Sequence, residues 1–189
     1  MKRTSAGSKA SPYITPEGYR RLSDELSYLW KTKRPQVTQA VAEAAAMGDR
    51  SENAEYIYGK KQLRQIDSRV RFLTKRLGEL VPVDRKPADE SVIYFSAWVE
   101  LLDASGTAYR YRIVGADESD ADRGYISIDS PMAKALLRKS EGDEVVVKRP
   151  NDTASFIVSA VSYESQASQN SQIDSLCRGV ETTRKNKED

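Results

Sequence analysis

Apolar residues in the first half of the chain recur at helical spacing. Thr15 reads as an N-cap, with Pro16 at the first helical position and Glu17 in the first turn. Tyr19, Leu22, Leu26 and Leu29 follow in 3-4-3 steps, a heptad seam. The seam resumes beyond Lys33 at Val37, Val41 and Ala44. Pro35 lies inside it, and its missing N–H and ring clash should bend the helix rather than necessarily end it. A second run, Leu63, Ile66, Val70, Leu73, Leu77 and Leu80, steps 3-4-3-4-3. Only Met47, Gly48, Asp49 and Arg50 separate the two patterns, and so short a connection makes the helices antiparallel neighbours. The expectation is a helical hairpin over residues 12–80. Roughly thirty residues per arm at ~1.5 Å rise give a rod of about 45 Å, longer than a small domain needs to cover its own core. A structural or dimerising coiled coil would show the same periodicity.

From Ser91 the period changes. Residues 92–101 read as a strand, Asp103-Ala104-Ser105-Gly106 as a turn and residues 109–114 as a second strand. Residues 125–128 form another short strand, and Ser130-Pro131 opens a helix running through Leu137. Glu141-Gly142-Asp143-Glu144 supplies a turn before residues 144–148, and residues 155–163 complete a largely antiparallel sheet. The fold class is α+β: an N-terminal antiparallel helical hairpin, then a small antiparallel β-sheet domain with a short helix over 81–164. The flanks 1–11 and 165–189 are polar and are expected to be disordered. Cys177 falls in the second of these and receives no role.

Composition narrows the chemistry. Among 189 residues there is no His and one Cys, which excludes an imidazole base, His-ligated zinc, a Cys-His nucleophile system, a CxxC site and a disulfide framework. No stretch approaches about 18 apolar residues, and a soluble cytoplasmic protein without a membrane partner is expected. The formal charge of +2 hides two halves of opposite sign. Residues 16–80 hold 13 basic and 9 acidic side chains, net +4, whereas 81–164 hold 10 and 15, net −5. The second half therefore suits a protein partner better than a nucleic acid.

The positive charge is concentrated. Between residues 60 and 76 lie Lys60, Lys61, Arg64, Arg69, Arg71, Lys75 and Arg76 against Asp67 alone. Lys60, Arg64, Arg71 and Lys75 share a helical stripe, and Lys31, Lys33 and Arg34 on the other arm could extend it. Phosphate backbone is the natural partner for such a face, although a solvated helix surface looks the same in sequence. At the turn of the hairpin, Asp49 and Glu52 have two readings. They fit a capping box, Asp49 as N-cap and Glu52 at N3. They also fit two ligands of a divalent cation, an incomplete set for Mg²⁺, which takes about six oxygens.

The tip run Gly48-Asp49-Arg50-Ser51-Glu52-Asn53-Ala54-Glu55-Tyr56 resembles that of the bacterial Gre transcript cleavage factors, of the GreB type. Leu29-Trp30 with Arg34-Pro35, Lys60-Lys61, Arg64-Gln65-Ile66-Asp67 and Ile126-Ser127-Ile128-Asp129-Ser130-Pro131-Met132-Ala133 carry the same resemblance. It spans about residues 12–164. It implies an FKBP-like second domain that docks on RNA polymerase, without implying prolyl isomerase activity. It also implies a hairpin that enters the polymerase secondary channel, with the catalytic tip near residues 48–56.

On the resemblance, Asp49 and Glu52 would help retain Mg²⁺ jointly with the polymerase active site, with none held stably by the chain alone. The polymerase, rather than this chain, would then cleave the RNA 3′ end of a backtracked complex, so the protein is not itself an enzyme. Arg50, Ser51, Asn53 and Tyr56 are candidates for positioning RNA or the tip. Lys60, Lys61, Arg64, Arg71 and Lys75 are candidates for RNA phosphate contact, and Asp129, Ser130 and Pro131 for docking; Ser130-Pro131 equally suits a helix cap. A monomer in the bacterial cytosol or nucleoid is expected. The alternatives are a channel-occupying regulator that does not promote cleavage and a structural coiled-coil adaptor.

Overall fold

A computed structural model describes residues 10–47, 52–85, 87–148 and 153–163. The flanks expected to be disordered lie mostly outside these residues, as does Cys177. The chain forms two compact units. One comprises residues 1–84 with 115–118, the other residues 85–114 with 119–189.

In the first unit, a two-residue strand β1 (Tyr13–Ile14) leads into α1 (Pro16–Tyr28). Thr15 caps α1, its hydroxyl oxygen accepting from Gly18 N–H at 3.0 Å. A π turn (Leu29–Lys33) joins α1 to α2 (Arg34–Ala46), so the helix passes Pro35 without stopping. The Arg34 N–H reaches back five residues to the Leu29 carbonyl. Widening the turn in this way accommodates a proline ring that an α-helical turn would press against the carbonyl four residues earlier.

The return arm is a single helix, α3 (Ala54–Glu79), followed by β2 (Val81–Pro82), which pairs in parallel with β1. Both expected seams are packed. Ile14, Leu22, Leu73 and Leu80 form one buried cluster, with Tyr19, Leu26, Leu29 and Leu77 against it. Val37, Ile66 and Val70 form the next, with Val41 and Leu63. Where Val41 meets α3 the neighbour is Gly59. A Cβ there would stand 2.6 Å from Val41 Cγ2, so glycine sets how closely the arms approach.

The loop Gly115–Glu118 belongs to this unit although the strand before it does not. Glu118 is buried, and its carboxylate accepts from Thr15 N–H at 2.9 Å, from the Thr15 hydroxyl and from Gly115 N–H at 3.1 Å. It thus places negative charge at the N-terminus of α1, where the helix dipole favours it. Beside it, Asp117 receives Arg76 at 2.8 Å, and Arg76 also donates to the Ser11 carbonyl at 2.9 Å. The folded unit therefore includes Ser11.

The second unit is a five-stranded sheet in the order β5-β4-β3-β7-β6: β3 (Trp98–Asp103), β4 (Ala108–Val114), β5 (Tyr125–Ser127), β6 (Glu144–Lys148) and β7 (Thr153–Ser162). β4 and β5 run parallel and the other pairs antiparallel. α4 (Pro131–Leu136) packs Ala133 and Leu136 into a core with Ile93, Val99, Leu101, Ile113, Val145, Val147, Phe156 and Val158.

The first strand starts later than residue 92. Ser96 takes φ 72°, and Ala97 N–H folds back to the Tyr94 carbonyl, so residues 92–97 bury Ile93 and Ala97 from a turn rather than a strand. Tyr163 pins that turn by donating to the Val92 carbonyl and accepting from Tyr94 N–H at 2.8 Å.

Candidate functional site

The tip is built by the ends of α2 and α3. Asn53 is the N-cap of α3: its amide oxygen accepts from Tyr56 N–H at 3.1 Å, and its amide N–H donates to the Ala44 carbonyl at 2.9 Å. One side chain thereby satisfies a donor at the start of one arm and adds a second bond to the Ala44 carbonyl at the end of the other, which also accepts from Met47 N–H at 3.2 Å. This corrects two expectations. The cap of α3 is Asn53 rather than Asp49, and Glu52 precedes the cap instead of standing at N3. The return helix also starts later than directly after Arg50, at Ala54. The physical reason is that asparagine caps as well as aspartate and, unlike a carboxylate, can donate across the hairpin as well.

Glu52 is exposed and makes no hydrogen bond or ion pair with the described residues. Its carboxylate takes no part in the Asn53 cap. Gly48, Asp49, Arg50 and Ser51 lie outside the described residues. Tyr56 is half-buried, with the Lys60 ammonium 5.2 Å from its ring centroid, a cation–π contact one helical turn apart. Among the described residues, no group of three or more His, Cys, Asp or Glu side chains is placed to hold a metal ion.

The cations of α3 divide into two sets. Arg69 grips Glu25 on the opposite arm with two bonds of 2.7 and 2.8 Å, which lowers the Glu25 pKa and raises that of Arg69. Arg76, largely covered, is taken by Asp117, which raises its pKa. Asp67, the acid within the basic run, is itself held by Arg34 at 2.8 Å. Lys60, Lys61, Arg64, Arg71 and Lys75 remain. All five are exposed, and none forms an ion pair among the described residues. Those are the five singled out from the sequence for phosphate contact. Folding has used Arg69 and Arg76 for structure and left these five, four of them on one helical stripe, without an ion pair among the described residues.

In the sheet unit, Ser130 accepts from Ala133 N–H at 3.1 Å and caps α4, with Pro131 at its first turn. Asp129 N–H donates to the Ser127 hydroxyl at 3.1 Å. For Ser130 and Pro131 the cap is therefore the role the local geometry displays. Two features escaped the reading of the residues: the cross-arm bond of Asn53, and Trp30, whose indole is exposed on the rod. Asparagine three residues ahead of Tyr56 gave no warning of its bond to Ala44. Trp30 did give a signal, because a large aromatic one position past the seam residue Leu29 has no place in the seam.

The basic antiparallel hairpin and the α+β sheet unit that follows it in the chain each coincide with a family model. Residues 12–81 match the family model described as transcription elongation factor, N-terminal, and residues 88–163 match that of transcription elongation factor, GreA/GreB, C-term. The chain belongs to the GreA/GreB family of transcription elongation factors.

Within the family the similarity is to GreB. The chain is 58% identical over 153 residues to transcription elongation factor GreB of Pseudomonas aeruginosa, covering 81% of this chain and 91% of that one. It is 56% identical over 158 residues to transcription elongation factor GreB of Xanthomonas axonopodis pv. citri, covering 83% and 94%.

Proposed function

We propose that this elongation factor binds RNA polymerase, inserts the tip of its hairpin into the secondary channel and stimulates the polymerase's own cleavage of backtracked RNA 3′ ends, so that arrested complexes resume synthesis. The observation that supports this most directly is the separation of charge on the rod. Five cations are left uncompensated on α3, behind a tip whose Glu52 carboxylate the cap does not use.

Asp49 and Glu52 are the residues that would hold Mg²⁺ together with carboxylates of the polymerase. The donor chemistry fits, because Glu52 is an exposed hard-oxygen ligand, and two carboxylates complete a site only when a partner supplies the remainder. When bound there, Mg²⁺ supplies an activated water and stabilisation of the leaving oxygen. The chain's own residues perform the placement. Asn53 ties the two arms together immediately behind Glu52, which limits the motion of the tip. Lys60, Lys61, Arg64, Arg71 and Lys75 attract the phosphates of extruded RNA along α3. Arg50, Ser51 and Tyr56 remain candidates for positioning RNA near the tip.

Docking of the sheet unit on the polymerase is assigned to its solvent face. Val146 and Ile157 are both about half exposed there, on neighbouring strands, and Asp129 is a further candidate.

The test is cleavage of 3′-backtracked RNA in an arrested polymerase complex, comparing the wild type with Asp49→Asn/Glu52→Gln. The double variant should bind polymerase and lose stimulation by at least about a hundredfold, since metal stabilisation is worth several kcal/mol. Equal cleavage by both proteins refutes the assignment. Binding without cleavage by either makes the channel-occupying regulator the better reading.

A further inference from the structure

Trp30 is explained by neither the seam nor the tip. It lies in the π turn Leu29–Lys33, and its indole is 55% exposed, whereas the other tryptophan of the chain, Trp98, is 3% exposed. Isolated exposed apolar residues need no explanation, but this one has a built surrounding. It lines two grooves of about 420 Å³ each, both of which also include Val70 of the opposite arm. Lys31 borders the first groove, while Arg64 and Arg71 border the second, so the indole adjoins the uncompensated stripe. The Arg34 guanidinium is 5.3 Å from the indole centroid and is anchored by its 2.8 Å bond to Asp67. Asp67, which also lines the second groove, is therefore paired with Arg34, and the guanidinium packs beside the ring with no ligand present.

An exposed aromatic face beside cations that form no ion pair among the described residues is the chemistry that binds single-stranded nucleic acid, in which base faces are free to stack. We propose that Trp30 is a stacking platform for a nucleobase of single-stranded RNA, with Arg64 and Arg71 holding the adjoining phosphates. The inference deepens the RNA handling proposed above and rests on that reading for its biological setting. Val70, which shares both grooves with Trp30, is 17 residues beyond the Asn53 cap. At ~1.5 Å per residue that is about 25 Å from the tip. A strand of several nucleotides running from the tip along α3 would reach the indole.

The experiment titrates the full-length protein with a single-stranded RNA dodecamer at low salt, with no polymerase present, following tryptophan emission in the wild type and, for the wild type and every variant, the anisotropy of an end-labelled dodecamer. The exposed indole should be quenched saturably. Trp30→Ala should bind the dodecamer about tenfold more weakly, the usual consequence of losing one stacked base, while Trp30→Phe retains most of the affinity. An abasic oligomer of the same length should bind wild type and Trp30→Ala alike, and Arg64→Gln/Arg71→Gln should flatten the dependence on salt.

Equal affinity of wild type and Trp30→Ala for the dodecamer overturns the proposal, as does absence of binding or equal quenching by an RNA duplex. A loss of polymerase affinity in Trp30→Ala with RNA affinity unchanged also overturns it, and assigns the grooves to a protein. Failure here is distinguishable from failure of the proposed function, which would appear as unstimulated cleavage in the polymerase assay whatever the titration shows.

Discussion

The hairpin and the sheet unit solve the burial problem in different ways, and the difference bears on function. The sheet closes a core around fully buried residues such as Ile93, Val99, Leu101 and Leu136. The hairpin has only a stripe: its buried residues lie in one row between two arms, and each arm shows most of its circumference to solvent. A stripe is a thin source of stability, but it leaves the rest of the helix surface free of packing constraints. On α3 that freedom is filled by cations. The rod separates its stabilising residues from its charged ones along whole helix faces, whereas in the sheet unit the two alternate residue by residue, as in β6, where Val145 and Val147 are buried and Glu144 and Lys148 exposed.

The comparison is tested most severely at the seam. Leu73 is fully buried in the hairpin and Leu101 in the sheet. Each truncation to alanine should destabilise its own unit by about 2–5 kcal/mol. Because the two cores are separate clusters, urea melts followed by far-ultraviolet circular dichroism should lose helix first in Leu73→Ala and leave the strand signal for higher denaturant. Simultaneous loss of both signals would show that the units unfold as one.

Glu118→Ala should come next, at about 2–3 kcal/mol. It removes a buried carboxylate that accepts from Thr15 and Gly115, and so strands donors at the start of α1. The effect should fall on the hairpin, although the residue lies in sequence among the strands. A shift confined to the sheet unit would contradict the placement of Gly115–Glu118.

Much of this was legible from spacing alone. Every seam residue from Tyr19 to Leu80 reappears in the helical clusters or, like Ala44, among the buried residues, because heptad spacing is a direct consequence of helical geometry. The helical stripe of Lys60, Arg64, Arg71 and Lys75 was legible for the same reason. Tertiary pairing was not. Nothing local says that Glu25 will meet Arg69, that Glu118 will fold back onto Thr15, or that Asn53 will outcompete Asp49 as a cap, since each depends on a partner distant in sequence or across the turn. The late start of β3 was hidden too, because a positive φ at Ser96 violates the usual preference of a non-glycine residue.

Gly59→Ala separates packing from propensity. Alanine is the better helix former by about 1 kcal/mol, yet its Cβ would stand 2.6 Å from Val41 Cγ2. Overpacking should win, with a net destabilisation of about 1–2 kcal/mol. Val41→Ala in the same chain should relieve the clash and return most of the propensity gain. If Gly59→Ala alone raises the melting temperature, the close approach of the arms is not limiting there.

The smallest expected effects are on the outer faces. Neutralising Lys60, Arg64, Arg71 and Lys75 should change stability by no more than about 0.5 kcal/mol per site, while weakening cleavage of long extruded RNA more than of short fragments. Equal loss on both lengths would deny the stripe its role in holding RNA.

The cross-arm pair Glu25–Arg69 is the counterexample on the same surface, a cation used for structure. Arg69 lowers the Glu25 pKa below its ordinary 4.5, so the pair stabilises the fold above that pH and the contribution is lost as pH falls through the depressed value. Both side chains are more than a third exposed, and screening should hold the contribution to about 0.5 kcal/mol. Glu25→Gln should therefore lower the melting temperature slightly at pH 7, by an amount that shrinks as the pH is taken down below 4.5 and the wild type loses the same charge. A difference that stays constant down to the acid limit of the folded protein would mean that Glu25 acts through packing, and that the division of the rod's cations into structural and free sets is not electrostatic.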